Sequence, residues 1–527
     1  MNSGLLKQKF PKIYQQFFQK SQKVASAPHS FFWTGDFSGF YGGLTVSSKL
    51  PLRFYVGLEQ IATDKLEIDP EVLAYSPAAK KFQKTTLDHY LISEIKKVLS
   101  TKLVGFKLHF LTEIALGTSV GGLGALSACL ADLCKEKNEE IFPLAWQISQ
   151  KLQRGRFSGA TTFCALSQSP YPIVSYSKRA KFWGKPLDQI FPLKSSPVWP
   201  IDFGLIFSGN LVQGAAVIAS AEEVKNVLEK REAEIKSVLK NDFENSFWQN
   251  YLMMLNQISG QNLVAFSDLF KKGSDVKTLQ FFFNTLNQYQ NLLHFLEIST
   301  ERIDRIYSQI HRIANRNENG VGSGAKITGV GKGGEVLFAV PYGECRQKIK
   351  KYVQQENSGL SLDYTSWDDG FESEGLVLEQ DLENKVCSPF LPADALLLTI
   401  YQKSYLSTTS ITPLELKKFA PKIDLLLDTV TNKILLKSKS VHSSTLPSQK
   451  GGIEILRKLL KSPGKKLSNS KLPATYAGNR YDLQGKITSP LSRLVPLQFE
   501  ITGGMYEDYS VTLKPFDIKI GILEKII

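Results

Sequence analysis

Apolar residues recur at three- and four-residue intervals through the first 24 positions, where Leu5, Leu6, Phe10, Ile13, Tyr14, Phe17 and Phe18 share one side of a helical repeat. This pattern predicts an amphipathic helix, interrupted near Pro11 and docked on the protein body. From Ser30 to Leu58 the pattern changes to Phe-, Tyr- and Val-containing runs punctuated by glycines at 35, 39, 42 and 43, which predicts a strand, a glycine turn and a second strand. A helical repeat over Leu87–Leu99 leads to a β-like run at Leu103–Phe110, then to a small-residue loop that opens a helix across Gly117–Lys135. After Pro197 a short apolar run, Phe203–Phe207, precedes a long and mainly helical stretch reaching Asn317. Glycines then return abruptly before a β run at Val336–Val340.

With 527 residues the chain exceeds what one core accommodates, about 250–300 residues, so several domains are expected. Polar or basic stretches near 352–370 and 437–451 are candidate linkers. The expected division is a helical extension at 1–24, domains at 25–195 and 196–360, a connecting segment at 361–394 and a basic domain at 395–527. A hydrophobic fraction of 42% against 22% charged residues excludes the disordered and collagen-like classes. No apolar run approaches the roughly 18–20 residues that cross a bilayer, and the start MNSGLLKQKF lacks a signal-peptide core, so a cytoplasmic protein with no membrane partner is expected. Five cysteines without a Cys-x-x-Cys pair and six scattered histidines argue for a reducing compartment and against a transition-metal site.

Three glycine-rich segments carry the candidate chemistry. The first runs from Ala27 to Gly43 as A-P-H-S-F-F-W-T-G-D-F-S-G-F-Y-G-G, the second from Ala115 to Ala128 as A-L-G-T-S-V-G-G-L-G-A-L-S-A, and the third from Gly322 to Leu337 as G-S-G-A-K-I-T-G-V-G-K-G-G-E-V-L. Glycines free the backbone to wrap an anion, and a following helix offers unpaired N–H groups and partial positive charge. A glycine hairpin and close helix–sheet packing are the plainer readings of the first two segments.

In this order, and with Leu205-Ile206-Phe207-Ser208-Gly209 between the second and third, the segments resemble the signature motifs of GHMP kinases such as mevalonate kinase and galactokinase. The likeness covers roughly residues 25–390. It implies an α+β, two-domain GHMP kinase fold, with an N-terminal phosphate-loop domain and a C-terminal ferredoxin-like domain. It further implies ATP and Mg2+ as cofactors, and transfer of the γ-phosphoryl group to a hydroxyl of a small mevalonate-like or sugar-like metabolite. Gly121, Gly122, Leu123, Gly124, Ala125 and Ser127, with Gly329, Gly331, Gly333 and Gly334, then correspond to the ATP-binding positions. Gly35, Asp36, Ser158, Gly159, Lys326 and Thr328 fall on the substrate side, and Lys326 and Lys332 are candidates to neutralise phosphate.

The sequence departs from the family where the charge should be. Thr161 stands in Ser158-Gly159-Ala160-Thr161 for the usual catalytic Asp, Gln150 for the magnesium-binding Glu, and Ala125 for the first loop Ser. Neither Thr nor Gln supplies the negative charge that holds magnesium or assists the acceptor, so impaired activity is expected. Ser127 is the candidate to take over the loop serine's Mg2+ contact, and Asp36 to stand in for the first motif's Glu.

The net charge of +14 is uneven: Thr431–Leu494 holds thirteen Lys and Arg against Glu454 and Asp482, a local +11. Ile453–Leu460, the turn at Ser462–Lys465 and the basic run Asn479–Ile487, with a hairpin from Leu497–Ile501 and Tyr509–Leu513, resemble a winged-helix unit. The resemblance adds a small α/β domain to the fold, with DNA as a partner contacted by Arg480, Lys486 and Arg493. A solvated basic segment on a small packing domain is the plainer reading. The alternative function is thus a catalytically inactive, GHMP-fold ligand sensor coupled to a DNA-binding domain. A structural interaction protein is a third reading, but it leaves the glycine segments without a use.

Overall fold

In the computed structural model, the interrupted repeat at the start becomes two helices, α1 (Leu5–Lys9) and α2 (Pro11–Lys20), broken at Phe10. The structure describes residues 5–76, 81–114, 117–135, 140–154, 157–178, 181–192, 199–209, 214–239, 246–272, 275–314, 321–329, 331–343, 345–356, 364–366, 374–384, 386, 388, 396–402, 405–441, 449–460, 466–472, 480–503 and 509–525. Much of the expected linker at 437–451 and the turn at 462–465 lie outside the described residues.

Two long strands follow, β1 (Lys23–Thr34) and β2 (Leu44–Gln60), then β3 (Glu67–Ser76), β4 (Lys81–Thr86), helix α3 (His89–Leu99) and β5 (Phe106–Thr112). Helices α4 (Gly122–Cys134), α5 (Ile141–Leu152) and α6 (Ala160–Leu166) come next, before β6 (Ile173–Lys178), β7 (Lys181–Pro186) and α7 (Leu187–Ile190). The sheet runs β12-β1-β2-β5-β3-β4, with β6 joining β2 to β7. Its strand β12 (Val377–Asp381) pairs antiparallel with β1 from far along the chain. Ala125, Leu126, Ala128, Cys129 and Leu130 of α4 are fully buried against Ala25, Ala27, Phe54 and Val56 of β1 and β2. Small side chains on both surfaces let this helix lie close to the sheet. Across the sheet, α2 docks through Tyr14 and Phe18, and the Tyr14 hydroxyl donates to the buried Glu113 carboxylate at 2.5 Å.

The second unit is β8 (Ile201–Phe207), helices α8 (Gly214–Leu239), α9 (Phe247–Lys272), α10 (Val276–Phe295) and α11 (Glu301–Ala314), then β9 (Gly324–Ile327), β10 (Glu335–Pro341), α12 (Arg346–Glu356) and β11 (Tyr364–Thr365). Its sheet order is β11-β8-β10-β9, the fourth, first, third and second strands of a βαββαβ unit. The segment 361–394, read from the sequence as a connector, contributes β11 to this sheet and β12 to the first.

The C-terminal part contains β13 (Leu396–Gln402), β14 (Tyr405–Ile411), β15 (Leu425–Asp428), β16 (Lys433–Leu436), β17 (Lys439–Ser440), β18 (Leu467–Ser468), β19 (Phe499–Gly503), β20 (Tyr509–Leu513) and β21 (Ile520–Lys525). Six of these strands form a sheet ordered β14-β13-β21-β15-β16-β17, and the other three form β18-β20-β19. Helices Gln449–Leu460 and Ser489–Leu494 pack with both sheets in one core that includes Leu425, Leu427, Leu456, Leu459, Leu491, Val511 and Ile522. Among the described residues, no helix is long and apolar enough to cross a membrane.

Candidate functional site

The three glycine segments meet in space. The first turn of α4 is the centre of the arrangement. Its N-cap, Gly121, has φ +69° and provides no side-chain cap, while Gly121, Gly122 and Leu123 remain half-exposed. Glycine is required here twice over, because a Cβ on Gly121 would lie 2.3 Å from Ser30 Oγ beneath it. An uncapped helix start leaves backbone N–H groups and the positive end of the helix dipole for an anion.

His29 fixes the approach to this turn. Its Nδ1 lies 3.2 Å from the Val120 carbonyl and its Nε2 lies 3.1 Å from Thr112 Oγ1. Complete burial pushes the His29 imidazole down to about 4, so it is neutral at physiological pH. The adjacent Ser30 N–H donates to the Val120 carbonyl at 3.1 Å, tying β1 to the loop.

The third segment closes on the same loop. Gly329 (φ +80°) and Gly334 (φ +74°) both lie against Ser119, where a Cβ on either would approach side-chain atoms within 2.5 and 2.8 Å. Thr328 Oγ1 accepts from the Phe32 N–H at 3.2 Å, joining β1 to the end of β9. Gly331 packs on Ile298, whose carbonyl also accepts from the Lys332 N–H, while Gly333 has φ +151°.

From the other side, α6 brings in Thr161. Gly124 is pressed against it, with a Cβ position 2.6 Å from Thr161 Oγ1, so Thr161 borders the first turn of α4. Gly159 caps α6 in a left-handed conformation (φ +74°) beneath the Trp146 ring, and Ser158 Oγ accepts from the Ala160 N–H at 3.3 Å. Ser158 also touches the turn at Gly39. Gly35 (φ +85°) closes the β1–β2 connection against the Leu44 carbonyl, a turn-forming role.

Five positions are placed otherwise than the motifs suggest. Ser127 is fully buried and its Oγ donates to the Leu123 carbonyl at 2.7 Å, inside α4, rather than facing the loop. Ala125 likewise points into the core rather than to the loop. Lys326 does not reach phosphate: its ammonium is fully buried against Asp36, at 3.1 Å from Oδ2. Burial holds the Asp36 carboxyl above and the Lys326 amine below their ordinary values. Gln150 is exposed on α5, whereas its neighbour Ser149 faces α6 through Thr162 Oγ1 at 3.0 Å.

The site therefore offers backbone donors for phosphate but no carboxylate at Thr161 or Gln150. Among the described residues no group of three or more His, Cys, Asp or Glu could hold a metal ion. The sequence did not single out His29, Ser30 or Ser119 individually, although all three lie inside the motifs.

In the C-terminal unit, Lys486 and Arg493 are exposed, with Lys486 at 3.0 Å from Asp482. Arg480 is instead held by the hairpin, donating to the Gly503 carbonyl at 2.9 Å and the Ile501 carbonyl at 3.4 Å.

No protein-family model matches this sequence, and no curated protein matches it. Solved structures of GHMP-superfamily kinases do resemble it. Lactococcus lactis galactokinase complexed with galactose shares 14% identity at a TM-score of 0.47, covering 71% of this chain and 98% of that one. L. major mevalonate kinase in complex with R-mevalonate shares 15% at 0.45, covering 66% and 97%. Streptococcus pneumoniae phosphomevalonate kinase in complex with phosphomevalonate and AMPPNP shares 12% at 0.44, covering 65% and 99%. The chain is similar to these kinases at identities too low to place it among them.

Proposed function

We propose that the chain binds ATP at the first turn of α4 and transfers its γ-phosphoryl group, slowly, to a hydroxyl of a small metabolite, as a kinase of the GHMP type. The observation that carries this reading is the convergence of all three glycine segments on one uncapped helix start, through Gly121 on Ser30 and through Gly329 and Gly334 on Ser119. Packing alone would not call for a helix start left half-open at Gly121–Leu123. Transfer is slow because Thr161, which borders the cradle, brings no charge to the acceptor. ATP supplies the phosphoryl group when bound. The chain's own part is to hold the phosphates on backbone N–H groups and to keep Val120 and Gly121 in place through His29 and Ser30.

Calorimetric titration with ATP, with and without Mg2+, tests the binding. Steady-state ADP release with mevalonate and with galactose tests the transfer. Failure of ATP to bind at millimolar concentration would remove the reading.

A second reading, a ligand sensor whose C-terminal domain binds DNA, is favoured by one observation. Helix Gln449–Leu460, β18, the helical run Arg480–Leu494 and the β19–β20 hairpin follow in winged-helix order, and their sheet places β20 between β18 and β19. Lys486 and Arg493 lie exposed on that helical run.

A further inference from the structure

Beside the third glycine segment is a cation that no described residue satisfies. Arg302, at the start of α11, lays its guanidinium over the turn that ends β8: a Cβ on Gly209 would fall 2.9 Å from Nη1 and 3.1 Å from Cζ. Gly209 has φ +96°, so the turn needs glycine both for its conformation and for the room it gives the guanidinium. The Nε atom of Arg302 is buried, and among the described residues the side chain has no hydrogen-bond or ion-pair partner. Asp304, two residues on and off Arg302's helix face, accepts from Ser299 Oγ at 2.5 Å.

The residue before Gly209 repeats the pattern. Ser208 is 1% exposed, and among the described residues its buried hydroxyl has no partner. Its backbone N–H donates to the Gly334 carbonyl at 2.8 Å, and Gly334 rests on Ser119 of the α4 loop, so this corner is continuous with the phosphate cradle. Among the described residues the Arg302 Nε, on a half-exposed side chain, and the Ser208 hydroxyl are both buried without a partner, and an unpaired buried donor is costly. A bound anion removes that cost: a guanidinium fork matches two oxygens of a carboxylate or phosphate, and a hydroxyl can donate to one of them.

We propose that Arg302 and Ser208 hold an anionic group, carboxylate or phosphate ester, of the acceptor molecule, so that the acceptor is a small hydroxy acid or phosphorylated alcohol and not a neutral sugar. The assignment of this anion to the acceptor rests on the kinase reading given above. The anion site itself is defined by the two residues.

The test is calorimetric titration of the full chain with R-mevalonate, glycerol 3-phosphate and galactose, each alone and with AMPPNP present. At least one of the two anions binds and galactose does not. Arg302→Gln weakens that anion by about tenfold or more, Arg302→Lys weakens it less, and Ser208→Ala weakens it modestly. AMPPNP affinity stays within about twofold in all three variants. Arg302→Gln melts no lower than the wild type, because the guanidinium has no partner to lose, whereas a structural arginine would lower the melting temperature. Equal anion affinity in Arg302→Gln and wild type, galactose bound in preference to both anions, or no anion bound at all overturns the proposal. A parallel loss of AMPPNP affinity also overturns it, by giving the guanidinium to the nucleotide. Should AMPPNP fail to bind the wild type while an Arg302-dependent anion still binds, the kinase reading falls and the anion site stands.

Discussion

Lys326 Nζ lies 3.1 Å from Asp36 Oδ2, and the two side chains are 0% and 1% exposed. The pair joins the first glycine segment to the third across 290 residues of sequence. Two charges removed from water are tolerated only while each keeps the other. Lys326→Met or Asp36→Asn alone should therefore destabilise by about 3–5 kcal/mol, and the double variant should recover much of the loss. Urea denaturation of the three variants reads this out. Additive losses in the double variant would mean that the two groups act independently.

Burial of neutral His29 makes stability depend on pH in a defined direction. Its pKa falls from 6.5 to about 4 on folding, so the unfolded chain binds the extra proton first. The contribution is complete above about pH 6.5 and is lost as pH falls towards 4, rising with pH across that window by roughly 3 kcal/mol in total. His29→Gln should flatten this slope, measured as unfolding free energy at pH 4.5, 5.5 and 7. The same variant should loosen the Val120 anchor and weaken ATP binding. An unchanged slope would show that another group carries the acid sensitivity.

The conformational demands of the motifs were legible in the sequence, and the facing of individual side chains was not. Gly121, Gly329 and Gly334 were read as positions where backbone must approach something closely, and each has positive φ against a neighbouring segment. Ser127 reads from the sequence as a loop hydroxyl, yet it lies on the second turn of α4, buried and bonded to the Leu123 carbonyl of its own helix. Lys326 reads from the sequence as a substrate-side cation able to neutralise phosphate, and only the fold brings Asp36 to it. Strand β12 was hidden for a related reason. Its pairing with β1 is a long-range contact that local pattern does not encode.

Thr161 and Gln150 separate by position. Thr161 borders the first turn of α4 and sits at the start of α6, where a carboxylate is favoured by the helix dipole. Thr161→Asp should raise phosphoryl transfer by about tenfold or more. Gln150→Glu alone should leave it unchanged, since Gln150 is exposed on α5. Coupled ADP-release assays on both variants decide this. A rate increase from Gln150→Glu alone would show that α5 moves during turnover.

Ser127→Ala removes a hydroxyl that bonds only within α4, so it should cost about 1 kcal/mol or less in stability and leave the Mg2+ dependence of ATP binding unaltered. Loss of Mg2+ dependence would reinstate Ser127 as a ligand. Gly124→Ala should act differently, because its methyl group would meet Thr161 backbone and Oγ1 at 2.6 Å. Forcing α4 and α6 apart costs about 1–3 kcal/mol and should weaken ATP binding through geometry, not through occupied phosphate space.

The last prediction concerns residues 395–527. Their two apolar clusters, one around Leu425, Leu456 and Leu491 and one around Leu398, Ile411 and Leu523, draw on no residue outside this part of the chain. The fragment should therefore fold alone, with a cooperative thermal transition. A local charge of +11 across Thr431–Leu494 exceeds what solubility requires and would displace counterions from a duplex. The fragment should bind duplex DNA with an affinity that falls steeply with salt, each phosphate contact adding about 0.9 to the logarithmic slope. The arginines and lysine then differ in kind. Lys486→Ala and Arg493→Ala remove exposed cations, so each should lower the slope by about one contact without changing stability. Arg480→Ala removes the guanidinium that holds the Ile501 and Gly503 carbonyls, so it should lower the melting temperature as well as the affinity. Fluorescence anisotropy with labelled duplexes at several salt concentrations measures the slope, and differential scanning calorimetry measures the stability. A folded fragment that shows no binding at low salt would leave the basic segment as a solvated face, and the sensor reading would lose its DNA-binding half.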